Sequence, residues 1–279
     1  MPMFQRPESV AEAARLLAVG EWAVLAGGTD LYPAHVGRPL PLPLLDITGI
    51  TGLRGIRRDA DGSWILGATT TWSDLVRADL PPLFDGLKAA AREIGGVQIQ
   101  NAGTVAGNVC NASPAADGAP ALMALDAFVV LRSERGEREM AVEHFVLGNR
   151  RTARAADELV VAIRVPAKSP RARSAFIKLG GRRYLTISMT MVALVVDVDE
   201  AGVVATAAAA VGSCAAVARR LPALEARLVG VRLGDPLGSI VEPADLAPLT
   251  PIDDLRASAG YRSEATLTLL RRALASLQP

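Results

Sequence analysis

The apolar run at residues 22–25 stops abruptly on Ala26-Gly27-Gly28-Thr29-Asp30, and this junction constrains the fold more than any other stretch. Four apolar residues suit a buried strand and are too few for a helix. The paired glycines let the backbone turn tightly and aim successive N–H groups at one point. Such a turn can hold an anion, with Thr29 adding a hydroxyl. It can equally be a plain glycine turn with Asp30 capping a helix, and the segment alone does not choose. Upstream, Ser9 and Glu12 read as a capping box, with Ala13, Leu16 and Leu17 at helical spacing behind it. A second buried strand is expected at 44–47. Between the strands, Pro39, Pro41 and Pro43 keep the chain extended. Residues 1–55 thus read as a small β-α-β unit.

A second unit follows. A strand is expected at 64–68, and a capping box of Thr71 and Asp74 starts a short helix. A longer helix at 81–94 stops at Gly95-Gly96. Residues 98–116 read as a long loop, 119–126 as a helix, and 128–131 and 159–165 as strands. Pro166 and Pro170 with three basic residues mark 166–173 as a linker. Beyond it, strands are expected at 174–179, 187–197 and 203–212, then helices at 215–229 and 263–277. The residues alone therefore point to three subdomains of α+β type.

Composition narrows the function. Half of the 279 residues are hydrophobic and 21% are charged, which excludes wholesale disorder. Thirty basic against 29 acidic residues leave a net charge of +1, with no electrostatic pull toward nucleic acid or an anionic membrane. Two cysteines and two histidines are too few for an iron–sulfur or zinc cluster, which takes about four ligands. The same count gives no disulfide framework. The longest uncharged stretch, 201–218, reads as a buried strand running into a helix rather than a membrane span. No targeting signal is expected at the N-terminus, and the reading is a soluble, cytoplasmic protein.

The sequence lacks G-x-x-x-x-G-K-[ST], G-x-G-x-x-G and G-x-S-x-G, so P-loop, Rossmann and hydrolase-elbow chemistry have no residues to work with. His35 and His144 stand apart from any ligand pattern and read as structural or solvated. What remains is a second glycine-bearing segment, residues 101–117, NAGTVAGNVCNASPAAD. It offers neutral donors for a phosphate and, in Asp117, one carboxylate for sugar hydroxyls. A loop held by its own Asx turns has similar residues. Taken together, the two segments suggest a dinucleotide whose pyrophosphate is held by backbone amides rather than arginine. Cys110 reads as a small buried side chain, not a reactive thiol.

The pair AGGTDL (26–31) and NAGTVAGNVCNASPAAD (101–117) resembles the two flavin-binding signatures of the FAD subunit of molybdenum hydroxylases, the xanthine dehydrogenase and carbon monoxide dehydrogenase family. RPESVAEAARLL (6–17), DELVVAIRVP (157–166), FIKLGGRRYLTIS (176–188) and RSEATLTLLRRAL (262–274) follow in the family's order. The resemblance implies an α+β protein: a two-subdomain PCMH-type FAD-binding fold at 1–55 and 56–168, then a C-terminal α/β domain of the CO dehydrogenase flavoprotein type at 169–279. It implies FAD held by Leu25, Ala26, Gly27, Gly28, Thr29, Asp30 and Leu31, and by Thr104, Gly107, Asn108 and Asn111. Asp117 would reach the ribose end, Val160 and Lys178 would touch flavin or adenosine, and the loop 180–186 would lie near the isoalloxazine ring. No catalytic side chain and no metal ligand is implied. The implied partners are a large molybdopterin subunit and a small [2Fe–2S] subunit, in a dimer of heterotrimers. A stand-alone flavin oxidase or reductase, or a flavin-free scaffold, are the alternatives. Two departures stand out: Ala106 replaces the first glycine of the family's T-I-G-G-N, and the loop after Lys178 carries Arg182-Arg183 where relatives carry an acid.

Overall fold

The computed structural model describes residues 4–182 and 185–278. The departure at Arg183 and the middle of the 180–186 loop lie outside the described residues.

In the first unit, β1 (Phe4–Gln5) and β2 (Ala23–Leu25) both pair parallel to a central β3 (Leu44–Asp46), with α1 (Val10–Val19) crossing between them. Ser9 caps α1 by accepting from the N–H of Glu12 at 3.2 Å. The Glu12 carboxylate takes the N–H of Glu8, one residue short of the box expected. Ala13 and Leu17 of α1 pack with Trp22, Leu45 and Ile47 in a small core.

The second unit is a five-stranded antiparallel sheet in the order β4-β5-β10-β6-β7. Its strands are β4 (Ile56–Arg58), β5 (Trp64–Gly67), β6 (Phe128–Ser133), β7 (Gly136–Ala141) and β10 (Leu159–Val165). Helices α2 (Trp72–Arg77), α3 (Asp85–Glu93), α4 (Val97–Ala102), α5 (Val105–Asn111) and α6 (Gly118–Ala124) lie between β5 and β6, and a single turn α7 (Val142–Phe145) follows β7. A minor hairpin, β8 (Val146–Gly148) and β9 (Arg151–Thr152), precedes β10. The Thr71–Asp74 box is complete at the start of α2. The expected helix at 81–94 opens as a 3₁₀ turn, Pro82–Phe84, because consecutive prolines remove two N–H donors.

The stretch 98–116 is not one long loop. It folds into α4 and α5, joined at Gly103-Thr104. Glycine and asparagine are poor helix formers, but Val105, Ala106 and Val109 of α5 are buried in the main core. Thr104 caps the helix through the N–H of Gly107 at 2.9 Å. Burying two valines is worth several kcal/mol, roughly 1.5–3 each, enough to outweigh the propensity deficit.

The third unit is an antiparallel sheet in the order β11-β12-β13-β14. It comprises β11 (Arg173–Gly180), β12 (Ser188–Val198), β13 (Val204–Gly212) and β14 (Arg219–Arg220). Strand β12 is buried without a break from Met191 to Val196, and alternation explains why. Met191, Ala193 and Val195 face α3 and α6 and join the core of the second unit. Val192, Leu194 and Val196 face α9 (Ala259–Ser276) and share a second core with α8 (Pro222–Leu228), which packs on β13. The helix expected at 215–229 starts only at Pro222, since 219–220 form β14 and proline suits a first helical position. Among the described residues, no helix is long and apolar enough to cross a membrane.

Candidate cofactor-binding site

The glycines of the first segment are required by space and backbone. A Cβ on Gly27 would sit 1.9 Å from the carbonyl oxygen of Ala102, so the 26–31 turn presses directly on the α4–α5 junction. Gly28 has φ +68° and faces the ring of Tyr32, a conformation glycine adopts freely. Asp30 does not cap a helix: the 3₁₀ turn Pro33–His35 has no side-chain cap. Its carboxylate instead accepts from Asn111 Nδ2 at 2.9 Å, tying the first segment to the end of α5.

Between the segments lies a cavity of about 310 Å³. All of residues 25–31 line it, with Thr104, Gly107, Asn108 and Asn111 from the second segment. The structure therefore brings together eleven of the fourteen residues singled out from sequence. Val160 lines a neighbouring cavity of about 260 Å³ with Trp22, Arg154 and Glu158. Val24, Ala26, Gly107 and Cys110 border both, so the two form one groove between the first and second units.

Asp117 and Lys178 line neither cavity. They pair with each other at 2.6 Å, each side chain 6% exposed. Ser188 donates to the other Asp117 oxygen at 2.6 Å. Burial pushes the Asp117 carboxyl above its usual range, while Lys178 and Ser188 pull against that shift. The pair pins β11 and β12 to the start of α6.

Sequence reasoning missed Arg150, Trp72, Ile94 and Ile99, which also line the larger cavity. Trp72 follows an N-cap threonine, and its burial signals a core role. Nothing in the sequence marks Arg150, which reaches the cavity from the β8–β9 turn.

The groove fits FAD. Its backbone and threonine donors suit phosphate oxygens. Asn108 Oδ1 is buried without a hydrogen-bond partner in the protein, at a cost of about 1–3 kcal/mol. A ribityl or ribose hydroxyl would satisfy it. Ala106 fits as well: it is helical, buried and absent from the positive-φ positions, so no glycine is required there. Cys110 is exposed along the groove rather than buried as the sequence suggests; desolvation there still pushes its thiol up to about 11, and it stays protonated at neutral pH. Among the described residues, no three histidine, cysteine or acidic side chains gather as a metal site.

Comparison with known proteins agrees. Residues 2–168 match the family model for the FAD binding domain in molybdopterin dehydrogenase, and 174–277 that for the CO dehydrogenase flavoprotein C-terminal domain. The carbon monoxide dehydrogenase medium chain of Hydrogenophaga pseudoflava is 32% identical over 279 residues, covering 97% of this chain and 95% of that one. The nicotinate dehydrogenase FAD-subunit of Eubacterium barkeri is 36% identical over 190 residues, covering 65% of this chain and 62% of that protein. Reconstituted CO dehydrogenase from Oligotropha carboxidovorans superposes with a TM-score of 0.88 at 29% identity, covering 99% of this chain and 96% of that chain. The chain belongs to the family of FAD-binding medium subunits of molybdopterin-dependent dehydrogenases, and is an oxidoreductase subunit.

Proposed function

We propose that this chain is the electron-transfer subunit of a molybdenum hydroxylase built from separate chains. Electrons arrive from [2Fe–2S] clusters on a small partner subunit and leave to an external acceptor, while a large partner subunit carries molybdopterin and the organic substrate. The assembly is a dimer of heterotrimers in the cytoplasm. Residues 1–55 and 56–168 act as the two flavin-binding subdomains and 169–279 as the C-terminal domain.

FAD, when bound, supplies the redox chemistry that no side chain here provides. The chain's own task is to hold and orient it. The N–H groups of residues 26–30 and the Thr29 and Thr104 hydroxyls hold the pyrophosphate. Asn108 Oδ1 accepts a hydroxyl of the sugar chain, and Val160 packs in the adjoining cavity. Asp117 and Lys178 serve the flavin from behind, by fixing β11 and β12 against α6. The observation that carries this reading is the buried, unpartnered Asn108 oxygen beside two glycine-lined segments.

Native purification through a tag on this chain tests it. FAD with an iron–sulfur chain and a molybdopterin chain is the expected result. FAD with no partner would favour a stand-alone flavoenzyme, and a colourless protein bound to those partners would leave a scaffold.

A further inference from the structure

Asn111 is occupied at both ends of its amide. Its Nδ2 donates to Asp30 Oδ1 at 2.9 Å, and its Oδ1 accepts from Arg150 Nη1. Arg150 sits in the β8–β9 turn with φ +58°, a left-handed backbone rare for a residue with a side chain. Its N–H donates to the carbonyl oxygen of Ala112 at 3.0 Å, where α5 ends with its own left-handed residue, Ala112, at φ +49°. Two unusual backbone positions thus meet, and the meeting brings an arginine to the mouth of the larger cavity.

Among the described residues lining that cavity, Arg150 is the one permanently cationic side chain. It forms no ion pair among the described residues: Asn111, a neutral amide, stands between it and Asp30. Only one of its five N–H donors is taken by a side chain. Asn111 lies one helical turn beyond Gly107, about 6 Å along α5, within reach of a guanidinium on its extended stem.

We propose that Arg150 is a binding residue for the FAD pyrophosphate, and that Asn111 is its positioning residue rather than a direct ligand. This rests on the flavin reading of the groove. The dianionic pyrophosphate is the counter-charge that Arg150 lacks, and a guanidinium matches phosphate oxygens with two parallel donors. Asp30 holds Asn111, and Asn111 turns the guanidinium toward the cavity. The pyrophosphate is then held by an arginine as well as by amides.

The test is equilibrium titration of the full apo-chain with FAD, and separately with riboflavin, which carries no phosphate, at low and at high salt. Arg150→Gln should weaken FAD about tenfold or more, flatten the salt dependence of its binding, and leave riboflavin unchanged. Arg150→Lys should recover part of the loss. Asn111→Ala should weaken FAD in the parent and add little in the Arg150→Gln background. FAD affinity unchanged in Arg150→Gln would overturn the proposal, as would an equal loss for FAD and riboflavin, which marks a packing defect. If the parent chain itself binds no FAD, it is the flavin reading that fails. A circular-dichroism melt of each variant separates misfolding from lost affinity.

Discussion

Gly27→Ala is the sharpest probe of the groove, because its effect can be worked from geometry. The added Cβ would lie 1.9 Å from the Ala102 oxygen and 2.6 Å from its carbonyl carbon. Ordinary contact needs roughly 3.5 Å, so the 26–31 turn or the α4–α5 junction must retreat by about 1.5 Å. Overpacking of this kind costs about 1–3 kcal/mol in stability. Its larger effect falls on binding, because the wall that moves carries the proposed phosphate donors. Loss of two charge-assisted hydrogen bonds at about 1.5 kcal/mol each amounts to roughly a hundredfold in affinity. Titration of the apo-chain with FAD, followed by quenching of flavin fluorescence, reads this directly. Gly52→Ala is the control, since nothing lies within 4 Å of its added Cβ, and it should leave affinity unchanged. FAD binding by Gly27→Ala within about threefold of the parent would refute the reasoning.

Three further outcomes are expected. Ala106→Gly, which restores the family's glycine, should lower stability by about 1 kcal/mol because the position is helical, with no gain in FAD affinity; thermal melts and titration check both. Burial opposes ionisation of Asp126, but Lys168 and Arg220 outweigh it and hold the carboxyl below its usual range. A depressed carboxyl stabilises the fold above its unfolded range, and that stability is lost as pH falls through the folded value. Asp126→Asn, which tolerates the φ of +53° there, should therefore cost roughly 1 kcal/mol near neutrality and flatten the acid limb of a stability-versus-pH curve. Cys110 should alkylate slowly at pH 7, faster as pH approaches 11, and more slowly with FAD bound, as mass spectrometry of the labelled chain would show.

Much of the fold is visible in the residue pattern, and the failures share one cause. Strand β10 falls at 159–165 as expected, because seven residues between a charged turn and Pro166 leave little choice. Helix α5 was hidden because its glycines and asparagines argue for loop, and only tertiary burial of Val105, Ala106 and Val109 overrides them. The 219–220 strand was hidden for a similar reason: it exists through pairing with β13, not through its own composition.

The site divides along the same line. Residues 25–31 and 104–111 were singled out by their resemblance to the family's two flavin-binding signatures, since glycine at a strand end and asparagine with threonine nearby left a plain structural turn open. Arg150 was not, because its place depends on a left-handed turn meeting the end of α5. Nor was the pairing of Asp117 with Lys178, 61 residues away along the chain. Long-range partners of this sort leave no local mark.

The most direct measurement is an experimental structure of the chain with FAD bound. The account predicts the pyrophosphate within hydrogen-bond distance of the amides of Gly27, Gly28 and Thr29, with a hydroxyl of the sugar chain on Asn108 Oδ1. Flavin bound elsewhere on the protein, or a pyrophosphate that touches neither segment, would contradict it.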